Sequence, residues 1–161
     1  MIALQKKATL FKKIREFFDA QGLTEVQTPS LLNTPTTDVY IDSIAVATNQ
    51  EIGQNTYKYL HTSPELEMKK ILSQGSGDIY QICQVFRDNE IGERNFNEFT
   101  LLEYYRLNFD IHQLISDISV FSFYDLLLGK NSLFDEHINL VALYLKSNSV
   151  LKLAYEPFRN D

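Results

Sequence analysis

Two stretches in the middle of the chain decide the fold: Ile79-Tyr80-Gln81-Ile82-Cys83-Gln84-Val85-Phe86-Arg87 and Phe99-Thr100-Leu101-Leu102-Glu103-Tyr104-Tyr105-Arg106-Leu107. Both are rich in aromatic and branched residues and have strand length. The polar segment from Asp88 to Asn97 between them is too long for a tight hairpin turn. In the second stretch, Phe99, Leu101, Glu103 and Tyr105 share one face, while Glu98, Thr100, Leu102, Tyr104 and Arg106 share the other. A carboxylate between aromatics on one strand face is a costly choice for a core. It suits a pocket that holds an ammonium group beside a flat ring.

Working outward, Leu10, Phe11, Ile14, Phe17 and Phe18 recur at helical spacing, so residues 4 to 21 are expected to form an amphipathic helix stopped by Gly22. Leu23 to Thr28 is expected as a short strand ended by Pro29, and Asn33 to Thr37 as a turn-rich connection. Val39 to Ala47 is expected as a strand, residues 48 to 55 as a polar loop, and Tyr57 to His61 as another strand. Ser63-Pro64-Glu65 signals a helix start, with a serine acceptor, a proline in the first turn and an acid at the positive helix end. Gly75-Ser76-Gly77 ends that helix. Ile111 to Leu128, capped by Asp110 and stopped by Gly129, and residues 133 to 146, opened by Ser132, are expected as further helices. The last fifteen residues carry no clear pattern.

The 161 residues suit one domain, with 44% hydrophobic residues, 22% charged residues and 20 Phe and Tyr side chains (11 and 9) that argue against disorder. No apolar run reaches bilayer-spanning length and no signal peptide is expected. Cys83 is the single cysteine, which excludes an intrachain disulfide and a thiolate cage; the expected compartment is the cytoplasm. A net charge of −6 disfavours a large RNA footprint. No histidine has metal-ligand spacing, so no metal site is expected from these residues.

A long helix followed by Gly22-Leu23-Thr24-Glu25-Val26-Gln27-Thr28-Pro29, then His61-Thr62-Ser63-Pro64-Glu65, then Val85-Phe86-Arg87, then Asn97-Glu98-Phe99-Thr100-Leu101-Leu102-Glu103-Tyr104-Tyr105, resembles the class II lysyl-tRNA synthetases and their shorter paralogues, the elongation factor P–(R)-β-lysine ligases. The resemblance runs from about Leu10 to Asp110. It implies an α+β fold, a mainly antiparallel sheet flanked by helices. The first family motif would fall at about 4–29 and the second at about 79–107, with no anticodon-binding domain. The first-motif helix beginning almost at Met1, the Thr-Ser-Pro-Glu segment and the Leu-Glu-Tyr-Tyr-Arg run are closer to the β-lysine ligases.

The resemblance also implies roles. Pro29 corresponds to the first-motif proline at a homodimer interface. Arg87 corresponds to the arginine that grips the α-phosphate of ATP during adenylate formation, and Phe99 to the aromatic that stacks on adenine. Ser63, Glu65, Glu103 and Tyr105 correspond to residues around a lysine-type amino acid. The implied reactants are ATP with Mg²⁺ and that amino acid. The implied acceptor is elongation factor P, with tRNA disfavoured and no membrane partner. An arginine fork suits phosphate oxygens, and activation depends mainly on positioning and charge stabilisation.

Departures from the family pattern bear on these roles. The second motif usually reads Phe-Arg-x-Glu; here it is Phe86-Arg87-Asp88-Asn89, with Glu90 one place later. Asn89 can still bond an adenine edge. The loop positions that reach the distal phosphates align with Glu93 and Asn95; a one-residue slip would bring in Arg94. Nothing after Asp110 resembles the third motif or the magnesium-binding acids, so the chain is expected to be a truncated and catalytically incomplete domain with open sheet edges that invite self-association. The alternatives are a fragment of a lysyl-tRNA synthetase, a non-catalytic binding or dimerisation module, and one half of a split enzyme. Plainer readings stand beside the functional ones: a surface role for Arg87, a core role for Phe99, a salt bridge from Glu103 to Arg106 or Arg87, and helix capping by Glu65. They extend to structural roles for His61, His112 and His137, a buried Cys83, and a core stripe of Phe121, Phe123 and Tyr124.

Overall fold

The structure, a computed structural model, describes residues 2–51, 54–90, 96–117 and 150–155. The long helix α1 is Ile2–Ala20, and Gly22 at φ +77° turns the chain out of it. Strands β1 (Thr24–Glu25) and β2 (Leu31–Leu32) follow, then β3 (Ala45–Glu51), β4 (Gln54–Leu60), helix α2 (Glu65–Ser73), β5 (Ile79–Phe86), β6 (Glu98–Tyr105) and β7 (Val150–Tyr155). The strands form a four-stranded sheet in the order β1-β5-β6-β7 and a three-stranded sheet in the order β2-β4-β3. Every pairing is antiparallel except β1 with β5. This is the expected α+β architecture.

Alternation on β5 and β6 builds two cores. Tyr80, Leu102 and Tyr104 point to one face of the four-stranded sheet, where Leu10, Ile14, Phe17 and Phe18 of α1 pack on them. Phe18 stacks on Tyr80 with ring centroids 4.7 Å apart. Ile79 and Tyr105 point to the other face and meet Met68 of α2, while Val85, Phe99 and Leu101 cluster further along it. At the end of β6, the buried Arg106 donates to Asp117 at 2.8 Å and to Asp78 at 3.3 Å, and also bonds the Gln21 side chain. One guanidinium fork thereby ties the exit of α1, the entry to β5 and the helical segment 111–117 together.

Several expected boundaries move. Of the strand expected over Leu23 to Thr28, only Thr24 and Glu25 pair in the ladder. The strand expected over Val39 to Ala47 begins only at Ala45. Upstream, side-chain oxygens capture the backbone: Asp38 Oδ1 accepts from Tyr40 N–H, Thr36 Oγ1 from Asp38 N–H and Ser43 Oγ from Thr36 N–H. Val39 and Tyr40 are left exposed at that turn. The polar residues 48 to 55, expected as a loop, belong mostly to the β3–β4 hairpin, where Thr48 and Thr56 bond across the ladder. The unpatterned last fifteen residues contain β7, which covers the outer edge of β6. Asp110 caps the helical segment 111–117 as expected, exchanging bonds with Gln113. The remainder of that helix, Gly129, residues 133 to 146 and the stripe Phe121, Phe123, Tyr124 lie outside the described residues. No described helix is long and apolar enough to cross a membrane.

Candidate functional site

The site begins where β4 hands over to α2. His61 N–H donates to Ser30, and His61 C=O accepts from Phe86 N–H at 3.0 Å, so residues 61 and 62 run along the end of β5. The His61 Nε2–H bonds the Gln84 carbonyl at 2.6 Å. This fixes Ser63 over the β5–β6 face. Ser63 Oγ–H donates to Glu103 at 2.9 Å, and the same oxygen accepts from Glu65 N–H at 3.1 Å. One hydroxyl therefore couples the positive end of α2 to a buried carboxylate.

Glu103 is 0% exposed. Its second oxygen accepts from the Tyr105 phenol at 2.7 Å. Burial, the Glu103 charge, the bond to it and the Glu65 charge all push the Tyr105 phenol up, so the ring stays a donor. Neither plain salt bridge suggested for Glu103 forms: Arg106 is committed to Asp78 and Asp117, and Arg87 to Glu90. Glu65 lies in the first turn of α2 and pairs with Lys69 at 2.8 Å. Its backbone N–H is taken up by Ser63 Oγ, and its charge sits in the first turn, at the positive end of the helix.

Arg87 occupies the other end. Its guanidinium carbon lies 5.1 Å from the centre of the Phe99 ring, its Nε donates to the Thr62 carbonyl at 3.3 Å, and Nη1 is 3.5 Å from Glu90. The side chain is 16% exposed. Phe99 and Glu103 alternate onto the same face of β6, about 13 Å apart along the strand. Arg87 and Glu103 thus lie on one side of the sheet. The pocket expected around Glu103 is not open: the carboxylate is buried, and Ser63 and Tyr105 close over it.

The other expected site residues are dispersed. Asn89, at φ +57°, donates from its side chain to Asp42 at 3.1 Å, beside the Asp42–Asp88 bridge. Arg94 and Asn95, with Glu93, lie outside the described residues. Pro29 lines a separate groove of about 900 Å³ between residues 31–38 and α2. Ser63 and Glu65 reach that groove, whereas Arg87, Phe99 and Glu103 do not. Among the described residues, no three His, Cys, Asp or Glu side chains converge to hold a metal ion.

The family pattern for class II tRNA synthetases (D, K and N) matches residues 2–124. The chain belongs to that family. It is 44% identical over 113 residues to the elongation factor P–(R)-β-lysine ligase of Mannheimia succiniciproducens, covering 70% of this chain and 35% of that one. It is 36% identical to the ligase of the same name from Histophilus somni over 165 residues, covering 95% and 50%. With the Haemophilus influenzae ligase it shares 43% over 114 residues, covering 70% and 35%. The chain thus spans between a third and a half of the length of these relatives. A putative aspartyl-tRNA synthetase from Leishmania major superposes with a TM-score of 0.64 at 17% identity, covering 77% of this chain and 23% of that one. That likeness shows the fold.

Within this class II scaffold, three further residues build the site, His61 in the structural role the sequence allows and Thr62 and Gln81 in roles it does not give. His61, read as structural or surface, is buried and is the bolt between β4 and β5. Thr62 supplies the carbonyl that orients Arg87. Gln81 is the register partner of Glu103 on β5. Only Gln81 left a signal, a polar side chain on the alternating face of Ile79, Cys83 and Val85.

Proposed function

We propose that this chain carries the substrate-recognition half of an adenylate-forming ligase that activates a lysine-type amino acid for transfer to elongation factor P. The first motif is assigned to 4–29 and the second to 79–107. One observation carries the reading: a buried carboxylate, supported by a helix end and a phenol, shares a sheet face with an arginine stacked on a ring. Such a face suits a substrate with an ammonium at one end and a phosphate at the other.

In the reaction, a carboxylate oxygen of the amino acid attacks the α-phosphorus of ATP, and the bond to pyrophosphate breaks. The Arg87 fork would bind the α-phosphate oxygens and stabilise the charge that develops there. Phe99 and Asn89 would bind adenine, and Arg94 and Asn95 the distal phosphates. Ser63, Glu65, Glu103 and Tyr105 would surround the amino acid. Magnesium is expected to accompany ATP, but the described residues do not fit a magnesium site. A protein acceptor in the cytoplasm, rather than tRNA, agrees with the net charge of −6 and with the names of the relatives. A homodimer through the Pro29 region completes the proposal.

The test is equilibrium binding of a non-hydrolysable lysyl-adenylate analogue to the 161-residue chain, beside its norleucyl counterpart, which lacks the terminal amine. Preference for the lysyl compound is expected, and Arg87→Ala should weaken both. Equal binding of the two compounds, or none of either, would overturn the reading.

A further inference from the structure

Among the described residues, four buried side-chain acceptors have no hydrogen-bond partner: Thr28 Oγ1, His61 Nδ1, Gln81 Oε1 and Asn97 Oδ1. Leaving such an atom desolvated destabilises the fold, so each needs a reason. For His61, the opposite ring nitrogen locks the strand junction, and the bare Nδ1 follows from that tautomer. The Gln81 amide nitrogen meets only the neighbouring Cys83 thiol, a weak acceptor that locks no strand junction. Gln81 is 2% exposed, in the middle of a strand where Ile79 and Val85 on the same face are packed hydrocarbons. A leucine there would fill similar space with nothing left unsatisfied.

Its position supplies the reason. Gln81 and Glu103 are direct partners in the antiparallel β5–β6 register. Directly opposed residues have Cβ atoms about 4.5–5.5 Å apart, so both head groups serve one small volume. The Gln81 amide is bonded to the Cys83 thiol on the same face, and the Glu103 charge also acts on that thiol. Gln81, Cys83 and Glu103 therefore form one polar cluster beneath Ser63 and Tyr105.

We propose that Gln81 is a specificity-determining residue whose Oε1 accepts an N–H from the ammonium group of the substrate, beside the Glu103 carboxylate. This rests on the reading of the Glu103 face as an amine site. An ammonium brings three donors and a carboxylate alone does not orient them. A neutral amide oxygen adds a second acceptor without the like-charge repulsion that another carboxylate facing Glu103 would bring. An arriving amine satisfies the orphan, so a substrate lacking the amine leaves it bare and is disfavoured. The same atom weakens the empty protein, a trade of stability for recognition.

The experiment uses the full chain, the lysyl and norleucyl adenylate analogues, calorimetric titration and thermal unfolding, with Gln81→Leu, Gln81→Met and Glu103→Gln compared with the parent. The leucine or methionine variant is expected to lose about tenfold or more in affinity for the lysyl analogue, to change by less than about twofold for the norleucyl one, and to melt at a higher temperature. Methionine serves if the branched side chain disturbs folding. Unchanged lysyl affinity in both Gln81 variants, with a clear loss in Glu103→Gln, overturns the role of Gln81 and leaves the amine site standing. Equal losses for both analogues make Gln81 a structural residue and also overturn it. A parent chain that does not prefer the lysyl analogue overturns the role and the site together.

Discussion

Ser63 Oγ stands between the backbone N–H of Glu65 and the carboxylate of Glu103, accepting from the first at 3.1 Å and donating to the second at 2.9 Å. Ser63 and Glu103, forty positions apart in sequence, are joined through that oxygen. Removing it leaves a buried carboxylate short of a donor and a helix end short of an acceptor. Ser63→Ala is therefore expected to cost about 1–3 kcal/mol of stability. Urea unfolding with an unchanged slope would read it. A loss within about 0.5 kcal/mol would mean that the coupling does not hold.

His61 makes acid a specific stress. Burial pushes its imidazole down from the usual 6.5, and the bond to the Gln84 carbonyl opposes that only in part. The folded state therefore binds the proton more weakly than the unfolded state. The contribution to stability is present above the unfolded value and is lost as pH falls below 6.5 toward the folded one. His61→Gln keeps a donor for the Gln84 carbonyl and cannot titrate. Its unfolding free energy should be flatter between neutral pH and pH 5 than that of the parent. Superimposable pH profiles would show that another group sets the acid limit.

Cys83, half-buried rather than buried as expected, is a poor nucleophile. Burial drives its thiol up to about 12; a bond from Gln81 opposes this and the Glu103 charge adds to it. At pH 8 the thiolate fraction is on the order of one in ten thousand. A disulfide reagent is expected to react with the native chain far more slowly than with the urea-unfolded chain. The folded pKa is the higher one, so the linked stability holds below the ordinary value of 9.0 and falls as pH rises from there toward 12. Rapid modification of the native protein at pH 8 would contradict this.

Legibility in the sequence followed the strength of the local pattern. The spacing of Leu10, Ile14, Phe17 and Phe18 predicts α1, and those side chains are the ones packed on Tyr80 and Tyr104. The alternation from Phe99 to Tyr105 predicts β6 and puts Glu103 on the face that meets Ser63. The expectation failed between Val39 and Ile44, where apolar residues suggest a strand but Asp38, Thr36 and Ser43 hold the backbone in turns. It failed again at Thr48 to Asn55, where polar composition hides a ladder maintained by backbone bonds and paired threonines. In the candidate site, which side chains share a strand face was readable and their partners were not. That Asn89 turns to Asp42, and that Gln81 faces Glu103, depends on register and on a connection through residues far away in the chain.

Arg106 tests whether the scaffold depends on a fork rather than on a charge. Its side chain is 6% exposed and divides its donors among Asp117, Asp78 and Gln21. Removing one partner from a buried pair costs about 3–5 kcal/mol, because the remaining charges are left desolvated. Arg106→Ala should approach that loss. Arg106→Lys should recover only part of it, since an ammonium cannot bond three separated acceptors in one plane. Full recovery by lysine in denaturant titrations would reduce the clamp to a simple ion pair.

The last expectation concerns Arg87 and Glu90. If Arg87 binds nucleotide as proposed, it is oriented beforehand: the Thr62 carbonyl holds Nε, the guanidinium lies over the Phe99 ring, and Glu90 stands 3.5 Å from Nη1. The first two contacts fix the fork without occupying both of its outer nitrogens. The third places a carboxylate where a phosphate oxygen would come. Glu90→Gln removes a negative charge from the neighbourhood of an incoming polyphosphate and leaves the carbonyl and ring contacts in place. Nucleotide affinity should rise a few-fold, about 0.5–1 kcal/mol at this partly exposed pair, and the gain should shrink as salt is added. Arg87→Lys should act in the opposite sense, losing about tenfold because a point charge cannot make two parallel bonds to one phosphate, while the unfolding midpoint moves little. Were Glu90→Gln to bind nucleotide more weakly than the parent, Glu90 would be a residue that positions Arg87, and the contact would aid binding rather than compete with it.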